Sequence, residues 1–161
     1  MVDAPLDILP APPFDRAGRD GCRTPMQWDA SEGGGFTTGT PWLPLVDPEE
    51  RNVADQARDP RSLLSLYRDL IAVRRSSGAL RRGLHRSFFG VAPEVLCWLR
   101  GADDDRVLVL LNTGSEARHC DLARVESEGG DVRVATSERS GRVALDGLVL
   151  EPFEGVAVRL D

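Results

Sequence analysis

The spacing of apolar residues changes twice along this chain and divides it into three stretches. The middle stretch is the most regular. Leu63, Leu66, Tyr67, Leu70, Ile71 and Val73 follow one another at helical spacing, which lines one apolar face and predicts a helix over 60–77. Asp59 suits the N-cap, Pro60 the first helical position, and Gly78 a left-handed residue closing the last turn. The whole helical segment is assigned to residues 59–79.

Beyond it the period shortens. Residues 87–91 and 95–100 read as strands flanking a turn at Ala92, Pro93 and Glu94. A third strand, 106–112, follows the polar turn 101–105, and its unbroken apolar run Val107-Leu108-Val109-Leu110-Leu111 predicts cover on both faces. Weaker strands are expected at 117–122, 132–137, 142–145, 147–150 and 155–160. Short strands at regular spacing with turn signals between them argue for an antiparallel sandwich over 80–161.

Residues 1–58 show no sustained period. Pro5, Pro10, Pro12, Pro13, Pro25, Pro41 and Pro44 exclude long helices and central strands, and Gly33, Gly34 and Gly35 form a flexible turn. Yet this stretch carries Phe14, Met26, Trp28, Phe36, Trp42, Leu43 and Leu45. A loop this long and this aromatic is expected to pack against a larger body. The fold class is therefore α+β, mainly β: a C-terminal antiparallel β-sandwich preceded by one long helix and an irregular Pro/Gly-rich loop segment.

Composition narrows the chemistry. A chain of 161 residues with 41% hydrophobic and 29% charged residues is that of a soluble globular protein. Its net charge of -6 argues against nucleic acid and against an anionic membrane, both of which need a basic patch. Arg74, Arg75, Arg81, Arg82 and Arg86 are read as a solvated helix end and loop, where arginine is favoured by the helix dipole. Cys22, Cys97 and Cys120 contain no Cys-x-x-Cys pair, and His85 and His119 stand apart, so neither a metal site nor a disulfide framework is expected. No cofactor is implied. No signal peptide is visible, and the cytoplasm is the expected location.

One string stands out: Arg19-Asp20-Gly21-Cys22-Arg23-Thr24-Pro25-Met26-Gln27-Trp28-Asp29, continuing to Gly35-Phe36-Thr37 and Pro41-Trp42-Leu43-Pro44. It closely resembles a segment late in the α-glucosidases of glycoside hydrolase family 13, such as the oligo-1,6-glucosidases, dextran glucosidases and bacterial maltose-acting enzymes. The resemblance runs on through Asn52-Val53, Gln56, Asp59-Pro60, Ser62-Leu63-Leu64, Leu66-Tyr67-Arg68-Asp69-Leu70-Ile71 with Arg74-Arg75, and the ending Leu150-Glu151-Pro152-Phe153-Glu154-Gly155.

The resemblance implies a (β/α)8 barrel followed by a β-sandwich domain, with the active site built from loops at the C-terminal ends of the barrel strands. It also implies retaining hydrolysis of α-glucosidic bonds, in which two carboxyl groups stand roughly 5–5.5 Å apart. The family's carboxylates all precede the string, so no catalytic residue is assigned in this chain and inactivity in isolation is expected. Residues 1–58 correspond to an active-site-loop-like part of the barrel and 59–79 to its last helix. Asp15, Asp20, Asp29 and Glu32 are read as turn formers or caps rather than a rebuilt pair.

In an intact site the resemblance gives Arg23 the role of hydrogen-bonding the terminal glucose, for which a five-donor guanidinium is suited. In isolation it pins its own loop. Trp28 and Trp42 either stack on sugar rings or wedge the loop against the barrel. Trp98 is read as core or interface. The implied partners are an α-glucan or oligosaccharide in the parent enzyme, and a separate barrel polypeptide or a second copy, as a dimer that is swapped or not. The expectation for the helix stripe is docking onto the sandwich or onto another copy. The alternative function is a non-catalytic β-sandwich module that binds α-glucan or a protein.

Overall fold

A computed structural model describes residues 23–102 and 104–161. Asp15, Asp20, Cys22 and the start of the distinctive string lie outside the described residues, as does Asp103. The chain divides into two compact units, 1–66 and 67–161, and the boundary falls within a helix.

In the first unit the described backbone is irregular apart from α1 (Val53–Gln56) and the opening of α2 (Leu63–Ser76). The start of α2 differs from expectation. Pro60 and Arg61 lie in a turn, where Asp59 Oδ1 accepts from the Arg61 amide at 2.8 Å. Ser62, buried, is the residue that caps α2, its Oγ accepting from the Ser65 amide at 3.1 Å. A serine hydroxyl three residues back satisfies a first-turn donor that the Asp59 carboxylate, spent on Arg61, does not reach.

The end of α2 differs too. Gly78 does not take a positive φ. Ser77, extended at φ -105 and ψ 124, breaks the helix and caps a second one, α3 (Gly78–Arg82), by accepting from the Leu80 amide. No residue of α2 is buried, and its stripe is uncovered: Leu63, Tyr67, Leu70 and Ile71 are 43–64% exposed. The expected docking of this stripe on the sheet is not made.

The second unit is built on β1 (Leu84–Phe88), β2 (Val95–Ala102), β3 (Asp105–Asn112), β4 (Arg118–His119), β5 (Gly129–Ala135), β6 (Arg142–Ala144), β7 (Val149–Leu150) and β8 (Gly155–Leu160). Six strands form one antiparallel sheet in the order β1-β2-β3-β8-β5-β6, and β4 pairs with β7. Every expected strand has a counterpart, most of them shorter or shifted. The five-residue turn at 101–105 shrinks, because Ala102 pairs with Asp105 and only positions 103 and 104 lie between the paired residues.

Alternation decides the layers. Phe88, Cys97, Leu108, Leu110, Val156, Val158 and Leu160 point to one side of the sheet. Cys120, Leu122, Val125, Leu145, Leu148 and Leu150, from β7 and the turns around it and β4, close that core. Each fully buried Leu or Val contributes roughly 1.5–3 kcal/mol. On the other side Val107 and Ala157 bury Ala79 of α3. The central strand is thus covered on both faces near its start, as its apolar run predicts.

Two buried polar groups hold the sheet ends. The Asn112 amide donates to the Glu116 and Glu151 carbonyls at 2.8 and 2.9 Å and accepts from the Gly114 amide. Glu154 is 2% exposed and accepts from Arg139 at 2.7 and 2.9 Å, from the Ser137 hydroxyl and from the Glu151 amide. Burial pushes this carboxyl upward, but the guanidinium, hydroxyl and amide bonds outweigh it and hold the group down at about 2. The folded value lies below the unfolded one, so the stabilisation is present above the unfolded value and is lost as pH falls through that window. Glu154→Gln is expected to destabilise the second unit by about 3 kcal/mol at neutral pH, and the difference from wild type should close between about pH 4.5 and 2, as read by urea unfolding at several pH values.

Candidate functional site

The described part of the distinctive string folds through its backbone rather than a core. The amides of Trp28 and Asp29 donate to the Gly34 carbonyl at 2.7 and 3.3 Å, and the Gly34 amide returns to the Ser31 carbonyl at 2.7 Å. Gly34 and Gly35 take φ of 60 and 65, the left-handed region that a glycine enters without strain. Asp29 Oδ1 accepts from both the amide and the hydroxyl of Ser31, which hold its carboxyl below the usual range. This acid forms a turn, as the sequence suggests. Glu32 is exposed on the same turn.

Gln27 organises the segment, and sequence reasoning did not single it out. Its Oε1 accepts from the Val46 amide at 2.7 Å, its Nε2 donates to the Arg51 carbonyl at 2.6 Å, and its own carbonyl accepts from Val53 at 3.0 Å. One side chain carrying both a donor and an acceptor thereby ties the string to a chain segment about twenty residues on. The signal was its place inside the string, next to Trp28. Asn52, 2% exposed, caps α1 through the Asp55 amide and donates to the Pro48 carbonyl.

Around this frame the large side chains face outward. Arg23 is exposed. Trp28 is 51% exposed and Trp42 82%, with Met26 and Phe36 similar to Trp28, while Leu43 is buried. An open depression beside the turn is lined by Ser31, Glu32, Thr37, Thr38, Thr40 and Pro41. The structure therefore brings hydroxyls together near the string.

In the second unit, Trp98 is half-buried and stacks on His85 at 6.3 Å between ring centroids. Burial pushes the Cys97 thiol up to about 12, with Cys120 adding to the rise, and raises Cys120 as well, so neither thiol is poised as a nucleophile. Arg74 and Arg75 end α2 and Arg81 and Arg82 end α3, the positions the helix dipole favours. Among the described residues no group of His, Cys, Asp and Glu is arranged to hold a metal ion, and no helix is long and apolar enough to cross a membrane.

Residues 10–83 match the family described as alpha amylase, catalytic domain. This chain belongs to the α-amylase family of glycoside hydrolases. Among curated members it is 33% identical over 144 residues to a trehalose-6-phosphate hydrolase of Bacillus subtilis, covering 88% of this chain and 26% of that protein. It is 40% identical over 97 residues to an oligo-1,6-glucosidase of Halalkalibacterium halodurans, covering 59% of this chain and 17% of that protein.

A solved structure of the trehalulose synthase MutB from Pseudomonas mesoacidophila MX-45 superposes with a TM-score of 0.79 at 32% identity, over 89% of this chain and 26% of that one. The chain thus covers between 17% and 26% of the length of these α-amylase family proteins. The part matching the catalytic domain carries both the Gln27-braced loop and α2.

Replacing Gln27 with Ala removes two side-chain hydrogen bonds at about 1 kcal/mol each. The Val46 amide is expected to exchange with solvent about thirtyfold faster, with the sheet of the second unit unchanged. Equal rates at Val46 in the two proteins would show that Gln27 does not brace the loop.

Proposed function

We propose that this chain is the C-terminal segment of an α-glucosidase that hydrolyses α-glucosidic bonds with retention, and that it has no glycosidase activity alone. In this reading residues 1–58 are the active-site-loop-like segment of the barrel, 59–79 its last helix and 80–161 the C-terminal β-sandwich domain. The observation that carries the reading is the string from Arg23 to Trp42 within the catalytic-domain match. Of its acids, Asp29 is already committed to Ser31.

Arg23 hydrogen-bonds the terminal glucose once the rest of the pocket is in place, and Trp28 and Trp42 stack on sugar or pack against the barrel. Four large exposed side chains near the string and four on the α2 stripe support a missing apolar partner, since a patch of this kind marks an interaction surface. That partner is the remainder of the barrel, on the same or a separate polypeptide, or a second copy of the chain. The enzyme works in the cytoplasm on oligosaccharides or α-glucans.

Purified chain assayed with a chromogenic α-glucoside is expected to turn over no faster than buffer. Turnover well above buffer that is lost on Arg23→Ala would overturn the proposed inactivity and place a working pocket in this chain alone. Retention of the chain on immobilised α-glucan without any other polypeptide would favour the binding-module alternative instead. Sedimentation at low micromolar concentration is expected to show self-association through the uncovered apolar surface, and a compact monomer at all concentrations would count against the second-copy partner.

A further inference from the structure

The catalytic-domain match ends at residue 83, whereas the compact unit containing the sheet starts at 67. Residues 67–83 are therefore catalytic-domain by sequence and part of the sheet unit by packing. The contacts with the sheet are made by the last seven of them, 77–83, and are specific. Ala79 is fully buried against Val107 and Ala157. Asp105, the first residue of β3, accepts from the Ser77 hydroxyl at 2.6 Å and from the Ala79 amide at 2.8 Å through one carboxylate oxygen, while Arg159 of β8 lies 3.6 Å from the other. Arg100 of β2 donates to the Gly83 carbonyl at 2.7 Å, and Arg74 of α2 donates to the Leu80 carbonyl at 2.6 Å. Gly83 sits so close to the sheet that a Cβ there would come 2.6 Å from the Gly101 carbonyl oxygen.

We infer that residues 77–83 form a clasp owned by the C-terminal sheet, with Asp105 as the positioning residue that locks the helical end of the catalytic-domain segment to β3. An uncapped α3 of five residues would not persist in water, because short helices depend on tertiary anchors. Asp105 supplies that anchor by accepting from the Ala79 amide in the first turn of α3 and orienting the Ser77 hydroxyl that caps the next amide, that of Leu80. Its second oxygen, next to Arg159, ties the same point to the sheet's central pair. In this chain the boundary between the two compact units therefore falls inside α2 and not at the end of the catalytic-domain match. The clasp does not rest on the function proposed above.

Hydrogen exchange on the full chain separates a local clasp from general stability. In Asp105→Ala the Ala79 and Leu80 amides are expected to exchange about tenfold faster or more, the usual effect of a lost cap, and trypsin should cut sooner after Arg81 and Arg82. Leu108 and Val158, paired in the sheet, should keep their wild-type rates. Ser77→Ala, a milder change that keeps Asp105, should give the same local pattern at smaller size and covers the case in which Asp105→Ala does not fold. Unchanged rates at Ala79 and Leu80, or a uniform rise at all four amides in both variants, would overturn the clasp. No enzymatic assay enters this test, so its failure and that of the proposed function are told apart.

Discussion

The pairing of β3 with β8, from Val107 opposite Arg159 to Leu111 opposite Gly155, is the interaction on which the second unit depends. It joins β8, near the end of the chain, to the third strand after the catalytic-domain match. It also stitches the hairpins β1-β2-β3 to β5-β6, since the sheet order passes from one set to the other only there. Closing a loop of more than forty residues costs conformational entropy, which the apolar pairs Leu108 with Val158 and Leu110 with Val156 offset by complete burial. Gly130 in the neighbouring strand shows how tight the arrangement is: a Cβ there would lie 2.1 Å from the Arg159 carbonyl oxygen.

What could be read from the sequence follows from how local each feature is. The central strand was legible because five apolar residues in a row suit only a strand with two covered faces. Ser77 was not legible as a helix breaker, because its effect depends on Asp105, 28 residues away, accepting its hydroxyl hydrogen. The same holds for Ser62, whose capping role becomes visible only once Asp59 is seen to bond Arg61. The strand pairing order and the contribution of β4 and β7 to the core are likewise long-range facts. In the loop, the turn-forming role of Asp29 was legible from its Gly-rich surroundings, but the bracing role of Gln27 was not, since both its partners lie far along the chain.

Two halves with different physical character result. The sheet unit satisfies its own polar groups at Asn112 and Glu154 and buries a contiguous core. The described part of the loop is tied by turn hydrogen bonds and by Gln27 but leaves Trp28, Phe36 and Trp42 half or more exposed. A loop that is hydrogen-bonded inward and aromatic outward is suited to complete a pocket whose other walls come from elsewhere. The chain, which covers about a quarter of a relative such as the Bacillus subtilis trehalose-6-phosphate hydrolase, thus holds a defined loop beside a self-sufficient sheet.

The most direct test is complementation in trans. The chain is mixed with a separately produced polypeptide supplying the preceding three quarters of an α-amylase family relative, and hydrolysis of maltose and isomaltose is followed against each component alone. Activity should emerge only in the mixture and fall when Arg23→Ala replaces the wild-type chain. A mixture that co-sediments as a complex yet stays at background would contradict the account.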